Sequence, residues 1–136
     1  MARILSIDYG TKRCGIAVTD PLQIIVSGLD TIHTSELLNY IKNYCAEEEV
    51  EAFVIGYPMH LDDTPAQIAP HIIGFSRKLE KLFPDKAVTL HDERFSSEDA
   101  KRVILNSGTK KKKRRDKGLV DKVSAVLILQ DYLGHL

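Results

Sequence analysis

The sequence contains no apolar run approaching the roughly 18 residues that a membrane-spanning helix needs, so no membrane partner is expected. Its first residues go straight into a strand pattern. They lack the basic start, long apolar stretch and small-residue cleavage site of a secretory signal. Only two cysteines occur, Cys14 and Cys45, with neither metal-ligand nor redox spacing, and both are expected as reduced thiols. Internal repeats are absent, and so is any composition shift that would mark a domain boundary. These absences make a cytoplasmic protein the expectation.

What is present fits one domain, residues 1–136, long enough to bury a real core. Hydrophobic residues make up 43% and charged residues 28%, the balance of a globular protein. The net charge of zero conceals an asymmetry. "KKKKRRDK", residues 110–117, carries seven basic residues and one acid, which leaves −6 on the rest of the chain. A single-sign block of this kind is a self-repelling loop, a polyanion-binding segment, or both.

The pattern along the chain predicts three strands, at 3–8, 14–19 and 23–32, close enough to form an antiparallel meander, with a weakening or bulge at Gly28. Thr34 or Ser35 is expected to cap a helix with Leu37, Leu38, Ile41, Tyr44 and Cys45 on its apolar face. A buried strand at 51–56 follows, then a loop, "GYPMHLDDTP". Next come a helix from about 65 to 83 with Ile68, Ile72, Phe75, Leu79 and Leu82 inward, a strand at 87–94, and a helix at about 97–106. After the basic tract, "LVDKVSAVLILQDYL" reads as a final, strongly apolar helix. The sum is an α/β fold. Its mixed five-stranded sheet has an antiparallel meander of strands 1–3, then parallel strands 4 and 5, with helices on both faces.

One acid in this pattern is out of place. "ILSIDYGTKRCGIAVTD" puts Asp8 inside a hydrophobic run, where an unpaired charge is costly. Asp92 and Glu93 stand at the end of the fifth strand, and Asp121 at the start of the last helix, three and four residues before Ser124 and Ala125. Open α/β sheets bind ligands beyond the carboxyl ends of their strands. Acids converging there would repel, and a divalent cation removes the conflict. Oxygen-only ligands favour Mg²⁺ or Mn²⁺. All five histidines are expected to be non-catalytic.

The ordered set "DYGTKRCGIAVTD", "GYP", "HDERFSS" and "DKVSA" resembles the YqgF/RuvX family, described as Holliday junction resolvases or pre-16S rRNA nucleases. The match spans essentially the whole chain. The resemblance implies a ribonuclease H-like fold and metal-binding, catalytic acids at Asp8, Glu93 and Asp121. It departs from the family's pattern in the loop after the fourth strand, which lacks a glycine-rich character, and in "DKVSA", which leaves Asp121 in place. The reaction implied is metal-dependent hydrolysis of a phosphodiester, with structured RNA or branched DNA as substrate. Precursor 16S rRNA processing at the 5′ end is favoured over junction cleavage. Lys12, Arg13 and Arg94, close to the acids in sequence, are expected to contact phosphates, as are Lys110, Lys111, Lys112, Lys113, Arg114 and Arg115. Two other classes are a non-catalytic nucleic-acid-binding factor and an ATP-using phosphotransferase. The last arises because "DYGT" resembles the first phosphate loop of the actin and sugar-kinase superfamily. The oligomeric expectation is a monomer or a homodimer, since a symmetric junction requires two copies.

Overall fold

Strands that are apolar on both sides belong in the middle of a sheet covered on both faces. The computed structural model describes residues 2–58, 67–93 and 117–135, with backbone alone at 93 and 117–119. In it β1 (Arg3–Asp8) and β2 (Arg13–Thr19) are buried almost throughout, as is the centre of β4 (Val50–Pro58). β3 (Val26–His33), largely exposed, and β5 (Ala87–Glu93) form the two edges of the order β3-β2-β1-β4-β5. β1 pairs antiparallel with β2 and β2 with β3, while β1–β4 and β4–β5 are parallel. The meander and the parallel additions read from the sequence are both present, and the topology is ribonuclease H-like.

Strand alternation divides the core into two layers. Leu5, Ile7, Ile16, Phe53 and Ile55 pack on one face against Leu37 and Ile41 of α1 (Leu37–Glu47) and Ile72, Phe75 and Leu79 of α2 (Ala69–Leu82). The other face carries Ile4, Ala17 and Val54 under Ala125, Ile128 and Leu129 of α3 (Lys117–Tyr132). α3 runs obliquely across the strands. Its start lies over Gly15 of β2, Ala125 meets Ser6 of β1, and Asp131 reaches His91 of β5.

Several boundaries differ from the sequence expectation, each for a local reason. The third strand starts at Val26 because Asp20 Oδ1 accepts from the amides of Ile24 (2.7 Å) and Ile25 (2.9 Å), holding them in a turn with Gln23 at φ 60°. The irregularity falls one residue past Gly28. Ile16 pairs with Asp30 and Ala17 with Gly28, which leaves Leu29 as the extra residue. Neither Thr34 nor Ser35 caps α1. The Thr34 hydroxyl instead donates to Gly10 O (2.7 Å), and the His33 ring accepts from the Ser35 amide at the head of a short 3-10 turn, Thr34–Glu36. Leu82, expected inward, is 41% exposed, because α2 ends there and Phe83 takes the core position, its ring 5.3 Å from that of Phe53. α3 already includes Lys117, where the described residues resume, so Asp121 lies past its first turn. The helix expected at 97–106 and the tract before Lys117 lie outside the described residues.

The seat of α3 makes a two-way stability prediction. A Cβ at Gly15 would lie 2.0 Å from the Asp121 carbonyl oxygen, whereas one at Gly74, on α2, would meet nothing within 4 Å. Gly15→Ala is expected to destabilise the protein by about 1–3 kcal/mol through overpacking. Gly74→Ala should stabilise it by roughly 0.5–1 kcal/mol through helix propensity. Urea unfolding of both variants checks this; effects of the same sign would contradict the packing of α3 on β2.

Candidate functional site

The site grows from the end of β1. Alternation sends Asp8 to the α3 face, with Ile4 and Ser6, and its neighbour across the β1–β2 pair is Gly15. Because position 15 has no side chain, the backbone of α3 comes down onto β2 there and delivers Asp121 beside Asp8. One turn further on, the fully buried Ser6 hydroxyl donates to the Ala125 carbonyl at 2.8 Å, holding the helix in that register.

Arg13, the first residue of β2, pairs its Nε with Asp121 Oδ2. The two side chains are 39% and 22% exposed, so the pair contributes at most about 1 kcal/mol to stability. Its consequence is directional: it orients the Asp121 carboxylate at the edge of the site. Burial, and behind it the negative charge of Asp121, push the Asp8 carboxyl up to about 7. Two carboxylates, one of them reluctant to ionise through burial and its neighbour's charge, form a donor set that suits a hard, oxygen-seeking divalent ion.

Among the described residues Asp8 and Asp121 come together as a pair, and no trio of acids, histidines or cysteines gathers. Glu93 is described in its backbone alone. It pairs with Pro58 at the end of β5, two strands from β1, and strands lie about 4.8 Å apart, so roughly 10 Å separates β1 from β5 laterally. Asp92 pairs with Tyr57, whereas position 93 shares the alternating set of His91, the residue that meets α3. Register therefore favours position 93 over 92 for the α3 face, a choice that spacing alone leaves open.

Lys12 is exposed in the β1–β2 turn, and its carbonyl accepts from the Thr34 amide at 3.0 Å. Arg13 is engaged by Asp121 rather than standing free at the surface. Arg94 and Lys110 to Arg115 lie outside the described residues. His91 contacts Asp131 (2.6 Å) and stands edge-on to Tyr132, tying the far end of α3 to β5. Sequence reasoning passed over Ser6 and Gly15, which place the acids. The available signal for Ser6 is a lone hydroxyl in an apolar strand; Gly15 carries none apart from its position opposite Asp8.

With this geometry in place, the comparison with known families is decisive. A family model described as "RuvX: Holliday junction resolvase" matches residues 2–135. The chain belongs to the RuvX family. Among similar proteins, one of Flavobacterium johnsoniae is 52% identical over 134 residues, covering 98% of this chain and 97% of that one. One from Christiangramia forsetii is 50% identical over 133 residues, covering 98% of each. A third, from Porphyromonas gingivalis, is 51% identical over 135 residues, covering 99% and 98%. All three carry the name "Putative pre-16S rRNA nuclease".

The raised Asp8 carboxyl gives a pH prediction for the metal-free protein. Native Asp8 keeps its proton up to about 7, whereas the unfolded chain releases it near 3.8. Between those values the native state binds more protons, so this residue's contribution to stability falls as pH rises, by at most about 1.4 kcal/mol per unit. Denaturation in chelator at pH 4 and pH 8 should show wild type losing stability relative to Asp8→Asn. Parallel curves for the two proteins would mean that Asp8 titrates as an ordinary surface acid.

Proposed function

We propose that this protein is a divalent-cation-dependent nuclease of the cytoplasm that hydrolyses a phosphodiester bond of precursor 16S rRNA, trimming its 5′ end. The observation that carries the reading is the half-buried Asp8 carboxyl held beside Asp121 at the carboxyl edge of the central strands. The names of the relatives support RNA as substrate. The description of the family model supports the second reading, cleavage of a four-way DNA junction.

In this reading Asp8, Asp121 and Glu93 hold Mg²⁺ or Mn²⁺, which when bound supplies an activated water and stabilises the leaving oxygen. Asp8 gives up its proton to act as a ligand, and the ionised form is the one the pocket otherwise disfavours. Asp121 is presented at a set angle by Arg13, which also leaves a cation at the rim where a phosphate arrives. Lys12, Arg94 and the tract Lys110 to Arg115 add phosphate contacts that follow backbone charge and not base identity.

The test offers precursor rRNA and four-way DNA junctions side by side, with Mg²⁺ or Mn²⁺ and with chelator. Cleavage of the rRNA, lost in chelator and lost in Asp8→Asn while that variant stays folded, is the expected result. Preference for the junction, with a dimer in solution, selects the second reading. Tight binding without turnover under every condition selects a non-catalytic factor.

Replacing Lys110 to Lys113 with serines tests the basic tract. Affinity should fall for all nucleic acids alike, and each lost phosphate contact should lower the salt slope by about 0.7–0.9. Single-turnover cleavage at saturating enzyme should persist, because the acids are untouched. Wild-type affinity and slope in that variant would reduce the tract to a solvated loop.

A further inference from the structure

Asp8 and Tyr9 are consecutive, and alternation turns them to opposite faces of the sheet. Asp8 serves the α3 side, while Tyr9 packs on the α1/α2 side, its ring 5.2 Å from that of Phe75. There, between the head of α1 and the exposed flank of α2, runs a half-open groove of about 450 Å³. Its volume falls within the range of small-molecule sites. Tyr9, Phe75, Leu38 and Pro70 supply ring and apolar surface, and Ser35 a hydroxyl. His71 and Lys78 stand exposed at the rim, and among the described lining residues none is acidic. In a chain whose charge outside the basic tract is −6, a groove whose described lining carries two basic side chains and no acid is a selective feature.

We propose that this groove is a nucleotide subsite, holding the base and phosphate of a single-stranded residue next to the bond that is cut. The inference rests on the nuclease reading for the word "next", and on the groove alone for the ligand's chemistry. Adjacent Cα atoms lie about 3.8 Å apart, so a strand crossing the sheet edge at Asp8 reaches Tyr9 within one nucleotide. An aromatic and apolar floor accepts any base face, which gives stacking without strong sequence preference. Lys78, with His71 beside it, meets the phosphate. Among the described residues neither forms an ion pair that would compete.

Gly74 makes the inference testable without harming the fold. It lies on the groove wall, exposed, with open space where a side chain would project. Leucine there fills the groove, and leucine is also the better helix former. In the Asp8→Asn background, which binds without cutting, Gly74→Leu should melt no lower and bind a short single-stranded RNA about tenfold more weakly, the worth of one stacked base. Lys78→Ala should lower the salt slope by about 0.7. Amide shifts on adding 5′-ribonucleoside monophosphates should cluster at Ser35, Leu38 and Gly74. If wild type cuts RNA while Gly74→Leu binds it unchanged, the nuclease reading stands and the groove proposal falls. If the monophosphates shift those amides but no RNA is cut, the groove stands and the nuclease reading falls. Monophosphates that leave all three amides unmoved overturn the subsite outright.

Discussion

The approach of α3 to β2 at Gly15 is the constraint on which the site depends. A helix packed on a sheet ordinarily keeps its backbone a side chain's length away, and here one missing side chain lets the Asp121 carbonyl come down onto the strand. That single contact decides where Asp121 lies. The Ser6 hydroxyl on the Ala125 carbonyl then removes the freedom to slide or rotate by a residue, and His91 on Asp131 secures the far end. Two polar tethers and one glycine thus turn an apolar helix, which hydrophobic burial alone would hold loosely in register, into a positioning element.

The cost of this arrangement is electrostatic. Bringing Asp121 beside a half-buried Asp8 sets two acids together where Asp8 is poorly solvated, and the fold leaves the conflict standing at Asp8. Arg13 answers only half of it. It is partly exposed and bound to Asp121, so it fixes one carboxylate and, among the described residues, makes no ion pair with the other. A site designed for stability alone would place an apolar residue at position 8, as at Leu5 and Ile7 just before it. Retaining the acid there is the kind of local inconsistency that marks function.

The fold was legible because its strands are continuous apolar runs and its helices keep a regular apolar face. β1, β5 and α1 fall where the pattern puts them, give or take a residue at the ends. What the sequence hid was the competition for polar groups. Thr34 has the chemistry of a cap, yet Gly10 O takes its hydroxyl and His33 caps in its place. Leu82 has the right period but loses its core position to Phe83 beyond the helix end. At the site, Asp8 announced itself as an acid in an apolar run. Which of positions 92 and 93 shares the alternating set of His91 needed the β4–β5 register, and the roles of Gly15 and Ser6 needed the helix in place.

β1 lies at the centre of the sheet, with β2 on one side and β4 on the other, and with helices over both faces. Asp8 pairs with Gly15 of β2, and Ile7 just before it is held on both sides, by β2 and β4, so the strand end has little room to relax. That rigidity explains why the conflict at Asp8 persists instead of being relieved by a small movement. It also means that Asp8 and Tyr9 present opposite faces at one rigid strand end. Positions on β5, an edge strand with a single ladder, have no such restraint. Among the described residues, Asp8 and Asp121 are therefore the acids whose placement the fold sets.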